Sequence, residues 1–328
     1  MWRNETSIEL SWLLDKLPRY KRIIDCSVKD ISNTHRKGDV PRNGTTLLLV
    51  IHAQKTDADC SVFETFVMKQ VPPSGLIASA RLGLAREAIF YDQLAWSLRT
   101  TDGFIPFIAY SHGNMKDGSK VILMEDLSDD YVDSGVLFGP GNPNNWNRDL
   151  EKLIATSYPR NVPTSYEVAN ETFLAMAKVH AAYWRDKELL QEEYSWLRGS
   201  SWVNGKDKDS WQASQGMIQS MWEKYSSLEK EATVDGSIRW DSLVRTITEK
   251  AMKGISWENQ LKRLNRDSHF SLVHGDFWPG NVMISKDNIE DNEECSSRKL
   301  KILDWEMVGE SLLYIVSIRN YLSNQSSF

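Results

Sequence analysis

The sequence predicts an α+β protein, a small β-rich N-terminal part followed by a larger helical part, and three observations carry that expectation. Apolar runs with the length and β-branched content of strands, Thr45 to Gln54, Val62 to Val71 and Val121 to Leu127, all fall in the first 127 residues. Longer stretches with apolar residues at helical spacing follow, Tyr166 to Glu192, Trp211 to Lys230 and Trp240 to Arg263. Near the end, two short apolar strands, Val282 to Ile284 and Leu300 to Leu303, flank a polar, acidic connection from Asp287 to Arg298 and read as a hairpin.

Taken in order, Ile8 to Leu17 reads as a short helix stopped by Pro18. Val28 to Gly44 is polar and ends in Gly38, Pro41 and Gly44; without a spaced Gly-Xaa-Gly-Xaa-Xaa-Gly it is either a loop whose backbone N–H groups cover an anion or an ordinary surface turn. In Val62 to Val71 the alternation puts Lys69 on a face with Phe63, Thr65 and Val67. The next helix has Leu84, Glu87, Tyr91, Leu94 and Leu98 at helical spacing, so Glu87 interrupts an apolar stripe. An unpaired carboxylate there is costly, which calls for a cation opposite it, and Lys69 is the candidate. The competing reading is a surface lysine and a glutamate at the edge of the stripe. From Ser128 onward Gly135 and the run Gly139 to Asn145 indicate a loop. In Tyr166 to Glu192, Phe173, Ala177, His180 and Trp184 share a stripe, and His180 there reads as a core histidine rather than a second base. Residues 186 to 268 read as further helices without a motif of their own.

Bulk properties exclude several classes. A length of 328 residues is enough for one large domain or two lobes. A net charge of −6 argues against nucleic acid and anionic membrane as partners. Cys26, Cys60 and Cys295 are widely spaced and odd in number, which fits a reducing compartment. No apolar run approaches bilayer length and no leader pattern opens the chain, so a soluble, cytoplasmic protein is expected. Nothing in the sequence fixes an oligomeric state.

The chemistry concentrates in His274-Gly275-Asp276-Phe277-Trp278-Pro279-Gly280-Asn281, answered downstream by Ile302-Leu303-Asp304-Trp305-Glu306. If the two flanking strands pair antiparallel, the start of the first lies beside the end of the second, and the amide of Asn281 converges with the carboxylate of Asp304. Such oxygen ligands suit a hard cation such as magnesium. Asp276, five positions before Asn281 on a turn shaped by Pro279 and Gly280, is placed to accept a proton from an attacking hydroxyl. Alone, an Asp after Gly is a turn residue and an Asp-Xaa-Glu is a strand end; the combination in this order is what points to phosphoryl transfer.

HGDFWPGN with ILDWE resembles the aminoglycoside phosphotransferase and choline kinase superfamily, and Trp after the aspartate is most similar to its ecdysteroid kinase-like (CHK kinase-like) branch. The resemblance implies a bilobal protein-kinase-like fold. Residues 1–125 would form an N-lobe with an N-terminal helix, a five-stranded sheet and one helix; residues 126–328 would form a helical C-lobe with catalytic loop and metal-binding hairpin. It implies ATP and Mg2+ as cofactors and a small hydroxylated acceptor of the sterol, choline-like, sugar or aminoglycoside class. In that scheme Lys69, oriented by Glu87, holds the α- and β-phosphates, and the backbone of Glu125 and Leu127 binds the adenine edge with Met124 behind the ring. Asn281 and Asp304 bind magnesium, Asp276 is the base, and His274 supports the catalytic loop. Glu306 contacts a second metal or braces the strand end.

Gly275 stands where protein kinases carry Arg, which favours a small-molecule kinase over a protein kinase. Trp146, Trp184, Trp278 and Trp305 are candidate π-faces for a cationic acceptor, with core packing as the competing role. After Gly309 the resemblance leads to the expectation of further C-lobe helices, whereas this sequence reads Glu310 to Phe328, so the C-lobe is expected to be incomplete. A catalytically impaired nucleotide-binding or scaffold protein of the same fold is therefore the alternative.

Overall fold

In a computed structural model of the chain the described residues are 8–32, 44–57, 60–96, 103–139, 142, 145, 148–158, 162–184, 186, 192–203, 205–231, 242–264, 270–286 and 299–312. They are mixed α and β, with a five-stranded antiparallel sheet. They divide into two compact units, one formed by residues through Ala182 with Leu272–Val308, the other by Tyr183–Ser271 with Gly309–Leu313. The boundary expected at 125/126 falls inside the first unit.

The first unit is built on α1 (Leu10–Lys16), β1 (Tyr20–Asp30), β2 (Thr45–Lys55), β3 (Ser61–Gln70), helices α2 (Leu76–Leu82) and α3 (Arg86–Gln93), then β4 (Ile108–Gly113) and β5 (Lys120–Glu125). The sheet order is β1-β2-β3-β5-β4. Strict alternation in β2 buries Leu47, Leu49, Ile51 and Ala53, which meet Phe66 and Met68 of β3, Leu123 of β5, and Leu13 and Leu17 at α1. Each large apolar side chain so buried contributes about 1.5–3 kcal/mol. This layer explains the N-terminal helix: its apolar side covers one face of the sheet.

In β3 Lys69 shares a row with Phe63, Thr65 and Val67, as the alternation predicts, and the other row is the core face. Phe66 and Met68 are on the core face, Phe63 is exposed, and Lys69 lies on the other row, opposite Ile122 of β5. Apolar residues occur in both rows of this strand, so the sequence did not distinguish them. Strands β1 and β4 were not anticipated. In β1 two register shifts, at Tyr20/Arg22 and Ile23/Asp25, break the period of two and leave Tyr20 and Ile23 buried three apart. The helix expected from Leu84 is α3, which begins at Arg86; a separate helix not anticipated from the sequence, α2, precedes it and is closed by Gly83 in a left-handed conformation (φ 72°).

The first unit continues through β6 (Tyr131–Asp133), α4 (Leu150–Ser157) and α5 (Ser165–Ala182). Asp149 caps α4 by accepting from the Lys152 N–H, and Thr164 and Glu167 form a reciprocal capping box at the start of α5. The buried stripe of α5 is Val168, Ala175, Met176 and Val179, whereas Tyr166, Phe173 and Leu174 are exposed. The stripe expected through Phe173, Ala177 and His180 is thus not the buried one; the helix is apolar on several sides, and periodicity alone did not choose among them.

In the second unit, α6 (Ser200–Val203), α7 (Lys208–Glu231), α8 (Ser242–Lys253) and α9 (Trp257–Leu264) carry no motif. Trp211 and Trp257 meet edge to face at 5.5 Å. The single helix expected over 240–263 is broken after Lys253, where the Gly254 N–H bonds back to Lys250 and Ser256 caps the next helix through the Asn259 N–H. The chain then enters β7 (Phe270–Val273) and forms β8 (Val282–Ser285), β9 (Leu300–Ile302) and β10 (Gly309–Leu312). Strands β6, β8 and β9 make a second small sheet, with Val282 opposite Ile302 and Ile284 opposite Leu300. The Gly38–Pro41 loop, Leu98, Trp146, the 287–298 connection and residues 313–328 lie outside the described residues. Among the described residues no helix is long and apolar enough to cross a membrane.

Candidate active site

The expected hairpin brings the two motifs together. The Leu303 N–H bonds to the Asn281 carbonyl at 2.9 Å, one step beyond the Val282–Ile302 pair, so Asn281 and Asp304 sit on adjoining strand ends. At Asp304 the backbone turns left-handed (φ 64°, ψ 54°) into a 3₁₀ turn, Trp305–Met307. For a residue with a Cβ this costs on the order of 1 kcal/mol and persists only where packing enforces it. Trp305 supplies that packing: it is fully buried, stacked on Phe90 of α3 at 4.2 Å, and its indole N–H donates to the Ile302 carbonyl. Its role is core, not an acceptor face.

The turn presents the Asp304 carboxylate to β3. Lys69 Nζ lies 2.9 Å from Asp304 Oδ1 and 2.7 Å from Glu87 Oε1, joining residues 235 positions apart in the chain. Glu87 has no exposed side-chain surface, and its other oxygen takes Lys120 Nζ at 2.9 Å. Lys120 also stands 3.7 Å from Glu306 Oε2. The Arg86 guanidinium donates to the Glu306 carbonyl at 3.1 Å, tying the N-terminus of α3 to the same turn. A lysine is needed opposite Glu87, as the apolar stripe required; two are present.

This network polarises its members in opposite directions. Lys69 holds Asp304 down to about 2 against the burial that would raise it. Burial would lower Lys69, but the charges of Asp304 and Glu87 outweigh it and leave the ammonium well above its ordinary range. Glu306 is raised, first by burial and then by Asp304.

The loop between β7 and β8 is held from below. His274 is buried and its Nε2 lies 2.7 Å from the Leu303 carbonyl, so this nitrogen carries the proton and donates. Burial lowers the imidazole's pKa and keeps it neutral. Its ring packs against Trp305 and Phe277. Gly275 adopts φ 81°, and a Cβ there would run into the Met307 carbonyl, so glycine is required where the loop crosses the Asp304 turn. The Asn281 amide nitrogen donates to the Asp276 carbonyl at 2.9 Å, closing the loop on itself. Trp278 packs over Gly280.

Glu125 and Leu127 lie at the far end of β5 from Lys120, apart from this ion network. The Glu125 carboxylate accepts from the Phe107 N–H at 2.8 Å and pairs with Lys301 at 3.4 Å, while the Glu125 N–H donates to the Phe107 carbonyl. The Leu127 carbonyl accepts from Tyr131; its N–H has no acceptor among the described residues. The side chain of Glu125, about a third exposed, ties the segment to the Phe107 main chain and to Lys301.

A divalent ion can be tested against these residues. Oxygens of Glu87, Asp304 and Glu306 lie within 4.8 Å of one another. Both oxygens of Glu87 are already bonded to ammonium groups, which makes it a poor ligand. Asp304 and Glu306 keep about a third of their side-chain surface (34% and 30%), and the Asn281 amide oxygen is the remaining donor. Partly exposed carboxylate oxygens fit a hard cation that retains water.

Lys120 was missed by the sequence reading. Its signal is a lysine opening the otherwise apolar Val121 to Met124 run, which is weak because strand ends commonly carry charge. A comparison with protein-family models gives no match for this chain, and a comparison with curated proteins gives none.

Proposed function

We propose that the protein is an ATP-dependent phosphotransferase that moves the γ-phosphate onto a hydroxyl of a small molecule, using a kinase-like arrangement of two lobes. The observation that carries this reading is the Lys69 ammonium held between Glu87 and Asp304, at 2.7 and 2.9 Å, beside the loop bearing Asp276 and Asn281. A lysine kept cationic by a buried glutamate, next to an aspartate suited to a metal, is the arrangement that phosphate binding and transfer need.

In this reading Lys69 holds phosphate oxygens, and Glu87 keeps its ammonium in place. Asp304 and Asn281, with Glu306, would hold magnesium, which when bound neutralises charge on the transferring phosphoryl group. Asp276 takes the proton of the acceptor hydroxyl at a carboxylate oxygen; its main chain is fixed by the Asn281 amide. His274, neutral and bonded to Leu303, keeps the loop against the metal-side turn. The Leu127 N–H is the donor for an adenine ring nitrogen. The acceptor class expected from the resemblance is a sterol, choline-like alcohol, sugar or aminoglycoside.

The test is a coupled ADP-release screen of those acceptors with wild type and Asp276→Asn. Acceptor-dependent ADP release, strongly reduced in the variant, supports the reading. Tight magnesium-nucleotide binding with no release across the panel would replace it with a non-catalytic nucleotide-binding protein.

A further inference from the structure

Glu87 needs one cation and has two. Lys120 opens β5 with only 7% of its side chain exposed, and its position is built rather than incidental. Its carbonyl accepts from the Val71 N–H, continuing the β3 ladder. The preceding turn is docked on α2, where Ser79 Oγ donates to the Gly118 carbonyl at 2.6 Å and a Cβ on Gly118 would strike the Leu76 carbonyl. Gly113, its partner in β4, lets the Ala85 carbonyl at the start of α3 approach closer than any side chain would allow. These contacts hold one ammonium 2.9 Å from Glu87 and 3.7 Å from Glu306.

The charge balance gives this a consequence. With all groups ionised, Lys69 and Lys120 face Glu87, Asp304 and Glu306, and the cluster carries one net negative charge. Without Lys120 it would carry two, concentrated beside the candidate ligands Asp304 and Glu306. We propose that Lys120 is a positioning residue and built-in counter-ion: it locks Glu87 by its second oxygen and weakens the site's hold on a bare divalent cation, so that metal is taken up together with nucleotide phosphates. The inference rests on the phosphotransferase reading above. It assigns to β5 a role that a lysine bound only to Glu87 would not have, because the ammonium also opposes the metal at Glu306.

Manganese, with no nucleotide present, is the probe, measured by the loss of its free EPR signal and by calorimetry on the full chain. Lys120→Gln keeps an N–H donor for Glu87 and removes the charge; Lys120→Arg keeps the charge. The glutamine variant should bind bare Mn2+ roughly tenfold more tightly than wild type, the scale of one close charge removed beside partly exposed carboxylates. The arginine variant should return to the wild-type affinity. A purely structural lysine predicts the opposite sign, weaker metal binding in a loosened site. Unchanged or weaker Mn2+ binding by folded Lys120→Gln overturns the proposal. If that variant does not fold, wild type alone decides: Mn2+ must bind much more tightly with ADP present than without, and equal affinities overturn the proposal. Failure of wild type to bind Mn2+ with ADP at all sinks the phosphotransferase reading and this inference with it, whereas normal Mn2+–ADP binding with no effect of Lys120→Gln sinks only the role of Lys120.

Discussion

Glu87→Gln is the sharpest perturbation of the ion network. The substitution keeps shape and removes one charge from a side chain with no exposed surface whose oxygens hold Lys69 at 2.7 Å and Lys120 at 2.9 Å. Lys69 retains Asp304, but Lys120, 7% exposed, is left with Glu306 at 3.7 Å. Removing one partner of a buried pair costs about 3–5 kcal/mol, and because the amide oxygen of glutamine still accepts one bond the lower end applies, about 3 kcal/mol. For a unit of roughly 150–250 residues each kcal/mol lowers Tm by about 2–4 °C, so a fall of about 6–12 °C is expected. The assay is thermal unfolding followed by near-UV circular dichroism, run on wild type, Glu87→Gln, Lys120→Met and the double variant. The double variant should be less damaged than the single losses added together, by about 1 kcal/mol or more, since each single change strands a buried charge that the other removes. A Tm within about 2 °C of wild type for Glu87→Gln, or strict additivity in the cycle, would refute the reasoning.

Four further outcomes follow from the loop and from the titrating groups shifted by burial or charge. Asp276→Asn should slow acceptor phosphorylation roughly a hundredfold or more while Mn2+–ADP affinity stays near wild type, read from single-turnover kinetics and calorimetry. Gly275→Ala should destabilise the first unit by more than about 1 kcal/mol, because φ 81° and the Met307 carbonyl both resist a Cβ; a wild-type urea midpoint would contradict this. Stability should fall as the pH drops below about 6.5, where unfolded histidine takes a proton that buried His274 and half-buried His180, both lowered by desolvation, do not. Urea titrations at pH 8 and pH 5.5 give the difference, and His274→Asn should flatten it. Asp304 acts at the other extreme: held down by Lys69, it contributes stability above its ordinary range that is lost as pH falls toward about 2.

Much of the candidate site was legible in the sequence. The interruption of the α3 stripe by Glu87 demanded a cation, and Lys69 is there, though on the row of β3 opposite the core residues Phe66 and Met68. Antiparallel pairing of the two late strands required Asn281 to approach Asp304, and the Leu303–Asn281 hydrogen bond and the Val282–Ile302 pair show the adjacency. The strands β1 and β4 were not legible: β1 is an edge strand whose two bulges break its pattern, and β4 carries polar residues at Ser111 and His112. Nor was the buried stripe of α5, where apolar residues surround the helix and only the packing selects Val168, Met176 and Val179.

Local sequence therefore determined which residue types had to find partners, because an isolated buried carboxylate and an antiparallel hairpin each restrict their neighbours by physics that acts over a few residues. The tertiary structure decided which partners they found. Lys120 reaches Glu87 only because Gly113 and Gly118 let backbones meet where no side chain fits, and Asp304 faces Lys69 only because Trp305, packed on Phe90, holds it left-handed. Such contacts join positions far apart in the chain, and their energy is a property of the packed whole rather than of any stretch of sequence.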